Sequence, residues 1–415
     1  MNTQRVLAAA ILAGSAVLAP SVARAGPYTL TDFSAHGSHL SLTDINNAGD
    51  LVGQMLITLA GPPGDPDPYV EYHGFVLSHG QLTELAPFGL PQHPEGGVDP
   101  SDSVWNYFAY SGAHGLDQQG QVVGQADDWG TVYGRAVTGR QGFVYQNGQF
   151  TKLGDFNPAG INRQGKIAGT VGVNIFHGGF YDTRVATVYS NGQFTSLGSL
   201  GISSVAHGIN DQGHVTGSSV LSHGMGPDEV EHAFLHDGTT LTDLGTLGGF
   251  FSEGLAINNA AQVTGSSTTG DGASHPFLYT DGQLIDLGLL AGTSEGSGLD
   301  INALGQVVGY SGDRAFLYSN EQLQDLNDLL DPATAGEWAL SSAVGINDRG
   351  IIIGYGLHNG IRSAFMLTPV PEPQLVALLG SGLLVLALLT RRQAGAQPDD
   401  DGRATSRAKA WYAAA

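Results

Sequence analysis

The chain has 415 residues, 62 of them glycine, no cysteine, only 13% charged residues and a formal net charge of −22. An acidic surface of this kind repels phosphate backbones and excludes nucleic acid as a partner, and the absence of cysteine agrees with an exported protein that does without disulfides. With 41% hydrophobic residues there is apolar material for a large core, and the glycine content suits many hairpin turns, so the chain reads as globular and β-rich.

Residues 1–25 read as a secretory signal peptide. Arg5 is followed by an apolar run over 6–18 and by the small-residue cleavage site Ala23-Arg24-Ala25. Removing it takes away Arg5 and Arg24 and leaves a still more acidic chain. Beyond it, Leu30-Thr31-Asp32-Phe33 reads as an isolated strand.

Seven copies of one pattern then follow, beginning at Ile45, Leu116, Ile161, Ile209, Ile257, Ile301 and Ile346. Each copy runs apolar, Asn or Asp, two variable residues, Gly, a residue, apolar, a residue, Gly, with Ala261 in place of the first Gly in the copy at Ile257. The clearest is Ile209-Asn210-Asp211-Gln212-Gly213-His214-Val215-Thr216-Gly217, followed by His232-Ala233-Phe234-Leu235 and Leu241-Thr242-Asp243-Leu244-Gly245. From Leu116 the steps are 45, 48, 48, 44 and 45 residues, whereas the first step, of 71, holds an insertion. Such self-similarity marks a repeat array.

Within a copy, short apolar runs bounded by Gly, Asn and Asp predict about four strands and no helix. Tight hairpins fall at stretches such as Asn210 to Gly213 and at Asn147-Gly148, Asn191-Gly192 and Asp281-Gly282. Four strands in roughly 45 residues make one propeller blade. The last copy lacks its fourth strand, and Leu30-Thr31-Asp32-Phe33 stands ready to supply it. The expected fold is therefore an all-β propeller over 26–369, of seven four-stranded blades closed by the N-terminal strand, with few exposed sheet edges.

The stretches 60–72 and 87–111 break the repeat, and loops that do so tend to carry binding. The second holds Trp105, Tyr107, Phe108 and Tyr110, and the next copy adds Trp129 and Tyr133. Trp105, Tyr107, Tyr110, Trp129 and Tyr133 are the candidate ligand-binding residues, because aromatic platforms beside Asp and Asn suit a sugar ring. The competing reading packs them over the rim of the first two blades.

At the C-terminus, Pro371-Glu372-Pro373 precedes an apolar stretch, 375–389, and then Arg391-Arg392. The stretch is at the short limit for a bilayer span, with its arginines on the cytoplasmic side. The order Pro-Glu-Pro, apolar helix, Arg-Arg over 370–392 resembles the PEP-CTERM sorting signal of Gram-negative bacteria. That resemblance implies processing by an exosortase-type membrane protease, with at least transient membrane contact through 375–389. A polar tail, 393–415, expected to be disordered, follows.

The repeats resemble the extracellular HAF-repeat proteins, named for a triplet that stands here as His232-Ala233-Phe234, with variants Arg314-Ala315-Phe316, Ser363-Ala364-Phe365 and His275-Pro276-Phe277. The resemblance implies location and fold more than any activity.

Other candidate chemistry is weaker. Fourteen histidines invite a metal, but His232 and His236 straddle a strand and its turn, without the helical spacing that aims two imidazoles at one ion. Residues 292–296 match Gly-x-Ser-x-Gly, yet fall in a Gly-rich connection rather than a strand-to-helix elbow. Glu71, Asp127, Asp128, Asp228, Glu229 and Glu231 lie in the longer variable stretches, where a glycosidase or lyase would need two to converge. Asp243, Asp286 and Asp325 share one register and read as structural. Calcium at Asp/Asn-Gly turns lacks its usual loop motifs, and no cofactor is expected.

The leading expectation is an exported, non-enzymatic protein of the cell surface or extracellular matrix that binds or organises polysaccharide or other surface proteins. The alternatives are a secreted polysaccharide hydrolase or lyase with its site at the propeller's channel mouth, and a permanently anchored membrane protein. Fold alone does not choose among them.

Overall fold

A computed structural model describes residues 27–34, 40–59, 69–86, 88, 110–132, 135–174, 182–222 and 230–370. The chain divides into two units, Met1–Pro369 and Val370–Ala415. Outside the described residues lie the leader with Ala23 and Ala25, and the sorting-signal residues Pro371, Glu372, Pro373, Arg391 and Arg392. Among the described residues, no helix is long and apolar enough to cross a membrane.

The first unit is an all-β propeller. Among the described residues, five separate four-stranded sheets and one eight-stranded sheet are formed, and each copy of the repeat contributes an antiparallel meander in chain order. The first copy, for example, pairs Ser41–Ile45 with Leu51–Leu59, that strand with Tyr69–Ser78, and the latter with Gln81–Leu85. First strands of successive copies lie side by side around the whole unit, and Ser41–Ile45 meets Trp338–Ile346, which closes the ring. Tyr28–Asp32 pairs antiparallel with Ile361–Pro369 and supplies the strand that the last copy lacks.

The eight-stranded sheet joins the fourth and fifth copies. The fourth copy's last strand, Leu241–Asp243, is only three residues long and covers only part of Val230–His236. Glu231 there pairs parallel with Phe251, the single residue pair that merges the two meanders.

The repeated glycine and phenylalanine explain each other. Each first strand carries a bulge, at Leu42/Asp44, Ala206/Gly208 or Gly298/Asp300 for instance. The bulge tips a carbonyl onto the second strand, where a Cβ at Gly53, Gly217 or Gly309 would overlap the oxygen of Ser41, Val205 or Ser297. The same glycines stand opposite Phe75, Phe234 and Phe316, all fully buried, and the rings of Phe75 and Phe316 border the space a Cβ would take. In the third copy Thr187 stands opposite Gly169, and the ring of Phe156, from the preceding connection, fills the space instead. Apolar clusters lie between neighbouring sheets, such as Val52, Leu85, Val122 and Phe143, so the core is a ring of interfaces.

One expectation is corrected. The connection after the sixth copy holds a 3-10 turn, Leu326–Leu329, and a one-turn helix, Pro332–Ala335. Asp331 caps that helix by accepting from the Ala333 and Thr334 amides, and Pro332 has its φ preset for the first turn.

Candidate functional site at the centre of the ring

The seven Asn or Asp turns between first and second strands meet around a central cavity of about 200 Å³. In each turn the side chain holds its own loop together. Asn210 Oδ1 accepts from the His214 amide at 2.9 Å, the Gly213 amide donates to the Asn210 carbonyl, and Gly213 takes φ +85°.

The amide nitrogen left over reaches the neighbouring turn. Asn162 Nδ2 donates to the Asn210 carbonyl at 2.9 Å, Asn210 to Asn258 at 3.0 Å, Asn258 to Asn302 at 3.0 Å, and Asn302 to Asn347 at 3.2 Å. Asn347 then donates to Asn46 at 3.0 Å, and Asn46 to Asp117 at 3.2 Å. A second ring lies one residue on, where the amides of Asn47, Arg163, Asp211, Ala303 and Asp348 donate to the side chain in the next copy. No such bond follows Gln118 or Asn259, because the next copy offers Arg163 or Ala303, which have no acceptor.

Two further carboxylates line the cavity. Asp44 accepts from the Ile45 amide at 2.7 Å and from Leu116, in the next copy, at 2.9 Å. Asp300 accepts likewise from Ile301 at 2.8 Å and Ile346 at 2.7 Å. Both keep some surface toward the cavity, yet protein atoms enclose them, and burial pushes Asp44 up to about 6 and Asp300 to about 7, the latter also repelled by Asp44. Both were missed in the sequence, although a signal was there: the other five copies place Gly115, Gly160, Gly208, Ala256 and Gly345 before the apolar residue.

Of the carboxylates singled out in the sequence, the described ones, Glu71, Asp127 and Glu231, do not line this cavity. Glu71, buried on the third strand of the first sheet, sits 2.7 Å from His73 Nε2, while His73 Nδ1 sits 2.5 Å from Glu84. Because the two acids bind opposite ring nitrogens, this trio is a cross-strand clamp and cannot chelate one ion through the imidazole. Asp127 accepts from the Tyr110 amide at 3.1 Å and pairs with Arg140. Glu231 occupies the strand Val230–His236. Asp228 and Glu229 lie outside the described residues, as does the side chain of Asp128.

Of the aromatic candidates, Tyr110 is half-buried, bridged to Tyr72, with the Arg140 guanidinium 4.1 Å from its ring centre. Trp129 belongs to the strand Val122–Val132, with only its backbone described. Trp105, Tyr107 and Tyr133 lie outside the described residues.

His232 pairs with Asp243 and His275 with Asp286, both at 2.9 Å, and Arg314 with Asp325 at 3.0 Å. The first residue of the triplet is thus a cross-strand partner for the repeated Asp, while Ala233 and Phe234 are buried. Residues 292–296 form a turn leading into the strand Gly296–Ile301, with no elbow. Among the described residues, no group of three or more His, Cys, Asp or Glu could hold a metal ion.

A ring of four-stranded meanders around a narrow central cavity defines the molecule as a β-propeller protein. No family model matches the chain, and no curated protein does. It is similar in structure to the β-propeller domain of the trilobed protease from Pyrococcus furiosus, at 7% identity and TM-score 0.48, covering 79% of this chain and 93% of that one. It is also similar to the Pyrococcus horikoshii acylaminoacyl peptidase, at 9% identity and TM-score 0.48, covering 84% of this chain but 55% of that one. The Trypanosoma rangeli sialidase in complex with sialic acid gives 11% identity and TM-score 0.37, covering 86% of this chain and 60% of that one. This chain therefore spans little more than half the length of the latter two proteins.

Proposed function

We propose that the chain is an exported, non-enzymatic propeller that binds or organises extracellular polysaccharide or other surface proteins. The observation that carries this reading is the use of the central side chains. The Asn ring, the ring beyond it, and Asp44 and Asp300 spend their polar atoms holding their own strands and turns and joining one copy to the next. A centre built this way is a hub, and it leaves recognition to the rim, where the long strands Leu51–Leu59 and Val122–Val132 flank the insertions of the first two copies. The HAF-like triplets, the leader, and the Pro371-Glu372-Pro373 signal with Arg391 and Arg392 support export and exosortase-type processing. With the eight-stranded sheet counted as two blades joined by one residue pair, the ring has seven blades, the last completed by Tyr28–Asp32.

The test is a glycan array probed with residues 26–369, beside the same protein carrying Trp105→Ala, Tyr107→Ala and Trp129→Ala. Binding that the substitutions abolish supports polysaccharide recognition on the first two blades. No glycan binding by either protein removes the polysaccharide reading and leaves the protein-organising one.

A second reading, a hydrolase or lyase, is favoured by Asp44 and Asp300, two enclosed carboxylates in one cavity that ionise near neutrality. Polysaccharide turnover that Asp300→Asn abolishes, with the fold intact, would establish it in place of the first.

A further inference from the structure

Asp117 is the odd member of the central ring. The six Asn side chains each give Oδ1 to their own turn and donate from Nδ2 to the next turn's carbonyl. Asp117 keeps the first half of that arrangement, accepting from the Gln119 and Gln121 amides at Oδ1, both at 2.8 Å. Its Oδ2 takes the place of the donating nitrogen, is buried, and has no hydrogen-bond partner among the described residues, in a residue only 3% exposed. By the ring's repeat, the group it faces is the Asn162 carbonyl, itself an acceptor. Two acceptors face to face in a buried site repel one another unless a proton lies between them.

We infer that Asp117 is a proton-operated latch between the second and third copies: protonated at Oδ2, it donates to the Asn162 carbonyl and completes the ring, and ionised, it leaves that junction open. The surroundings favour the neutral form. The charged and titratable groups of the adjoining strands and turns are Asp44 and Asp50 of the first copy, Arg163 and Lys166 of the third, Asp211 of the fourth, and His114 on its own strand; Asp44, Arg163 and Asp211 line the same cavity. Burial, with Asp211 adding repulsion, raises its pKa above the ordinary carboxylate value. The folded state therefore holds this proton at pH values where the unfolded chain has released it. Its contribution to stability is present at low pH and lost as pH rises through the folded pKa.

The experiment is denaturant unfolding of the full chain and of Asp117→Asn from pH 4 to pH 8. The variant restores the donor that the other six copies carry. At pH 8 its unfolding equilibrium constant should be roughly threefold to tenfold smaller than that of the parent, the worth of one hydrogen bond. The two proteins should converge as pH falls. Equal stability at pH 8, or a difference that does not change with pH, would overturn the inference. A carbon-13 titration of the Asp117 carboxyl separates the latch from general acid stabilisation, because only the latch requires that group to titrate above the ordinary range.

Discussion

Asp32 lies opposite Phe365, in the register that Asp243 keeps with Phe234, Asp286 with Phe277 and Asp325 with Phe316. A strand from before the first copy thus fills the outer place in the last sheet, and its Asp finds a partner in His358, 3.1 Å away. Phe33 continues the closure, donating its amide to the Ala364 carbonyl and burying its ring beside Ile353.

Deleting residues 28–33 should therefore leave Ile361–Pro369 as an unpaired outer strand of the last sheet. Tyr28, Leu30 and Phe33 would lose their packing, and full burial of one such side chain is worth about 1.5–3 kcal/mol. A loss of at least ~3 kcal/mol is expected, with faster amide exchange across Ile361–Pro369. Unchanged exchange there would show that the strand contributes nothing to closure.

Phe156 and Thr187 should behave as a coupled pair. Phe156→Ala empties the space beneath Gly169 and should cost about 3–5 kcal/mol. Thr187→Phe alone brings in a second ring and should cost about 1–3 kcal/mol by overpacking. The double variant, which recreates the Phe-opposite-Gly arrangement of the other copies, should be more stable than Phe156→Ala. Simple additivity of the two losses would refute the account.

Ala261 holds φ +58° at the position where the other turns carry Gly49, Gly120, Gly165, Gly213, Gly305 and Gly350. A Cβ in this left-handed region is strained, so Ala261→Gly should stabilise the protein, by about 0.5–1 kcal/mol. A lower denaturation midpoint in the variant would contradict this.

Stability should peak on the acid side of neutrality. Asp44 and Asp300 have folded pKa values of about 6 and 7, above the ordinary carboxylate value, so the folded state binds their protons more tightly than the unfolded chain does. Stability therefore falls as pH rises from about 4 through 7 and levels off above. Asp237 works the other way. Hydrogen bonds from Thr240 and Thr239 lower it to about 2, so its contribution is present above the ordinary value and lost as pH falls through 2. A melting profile with its maximum near pH 4–5 is expected. Replacing Asp44 by Asn should lower the Asp300 pKa by removing the repulsion between them, which a carboxyl NMR titration would register.

The propeller was legible because its information is local and repeated. Turn glycines such as Gly213, the Asn147-Gly148 hairpin and the buried Phe of each triplet recur at matched spacing, and each expresses a constraint within a few residues. Even the missing fourth strand could be matched to residues 30–33 by counting elements. What the sequence could not show was which side chains meet across copies. Asp44 and Leu116 meet only when successive copies pack, and Asn347 and Asn46 only when the ring closes. Asp44 and Asp300 drew no notice because a carboxylate before an apolar residue in a strand is unremarkable until enclosure shifts its ionisation. Local backbone chemistry thus determined the strands, turns and repeat of this protein. Closure alone, by placing seven turns around one cavity and stripping water from their side chains, decided where its hydrogen bonds run and which of its acids titrate near neutrality.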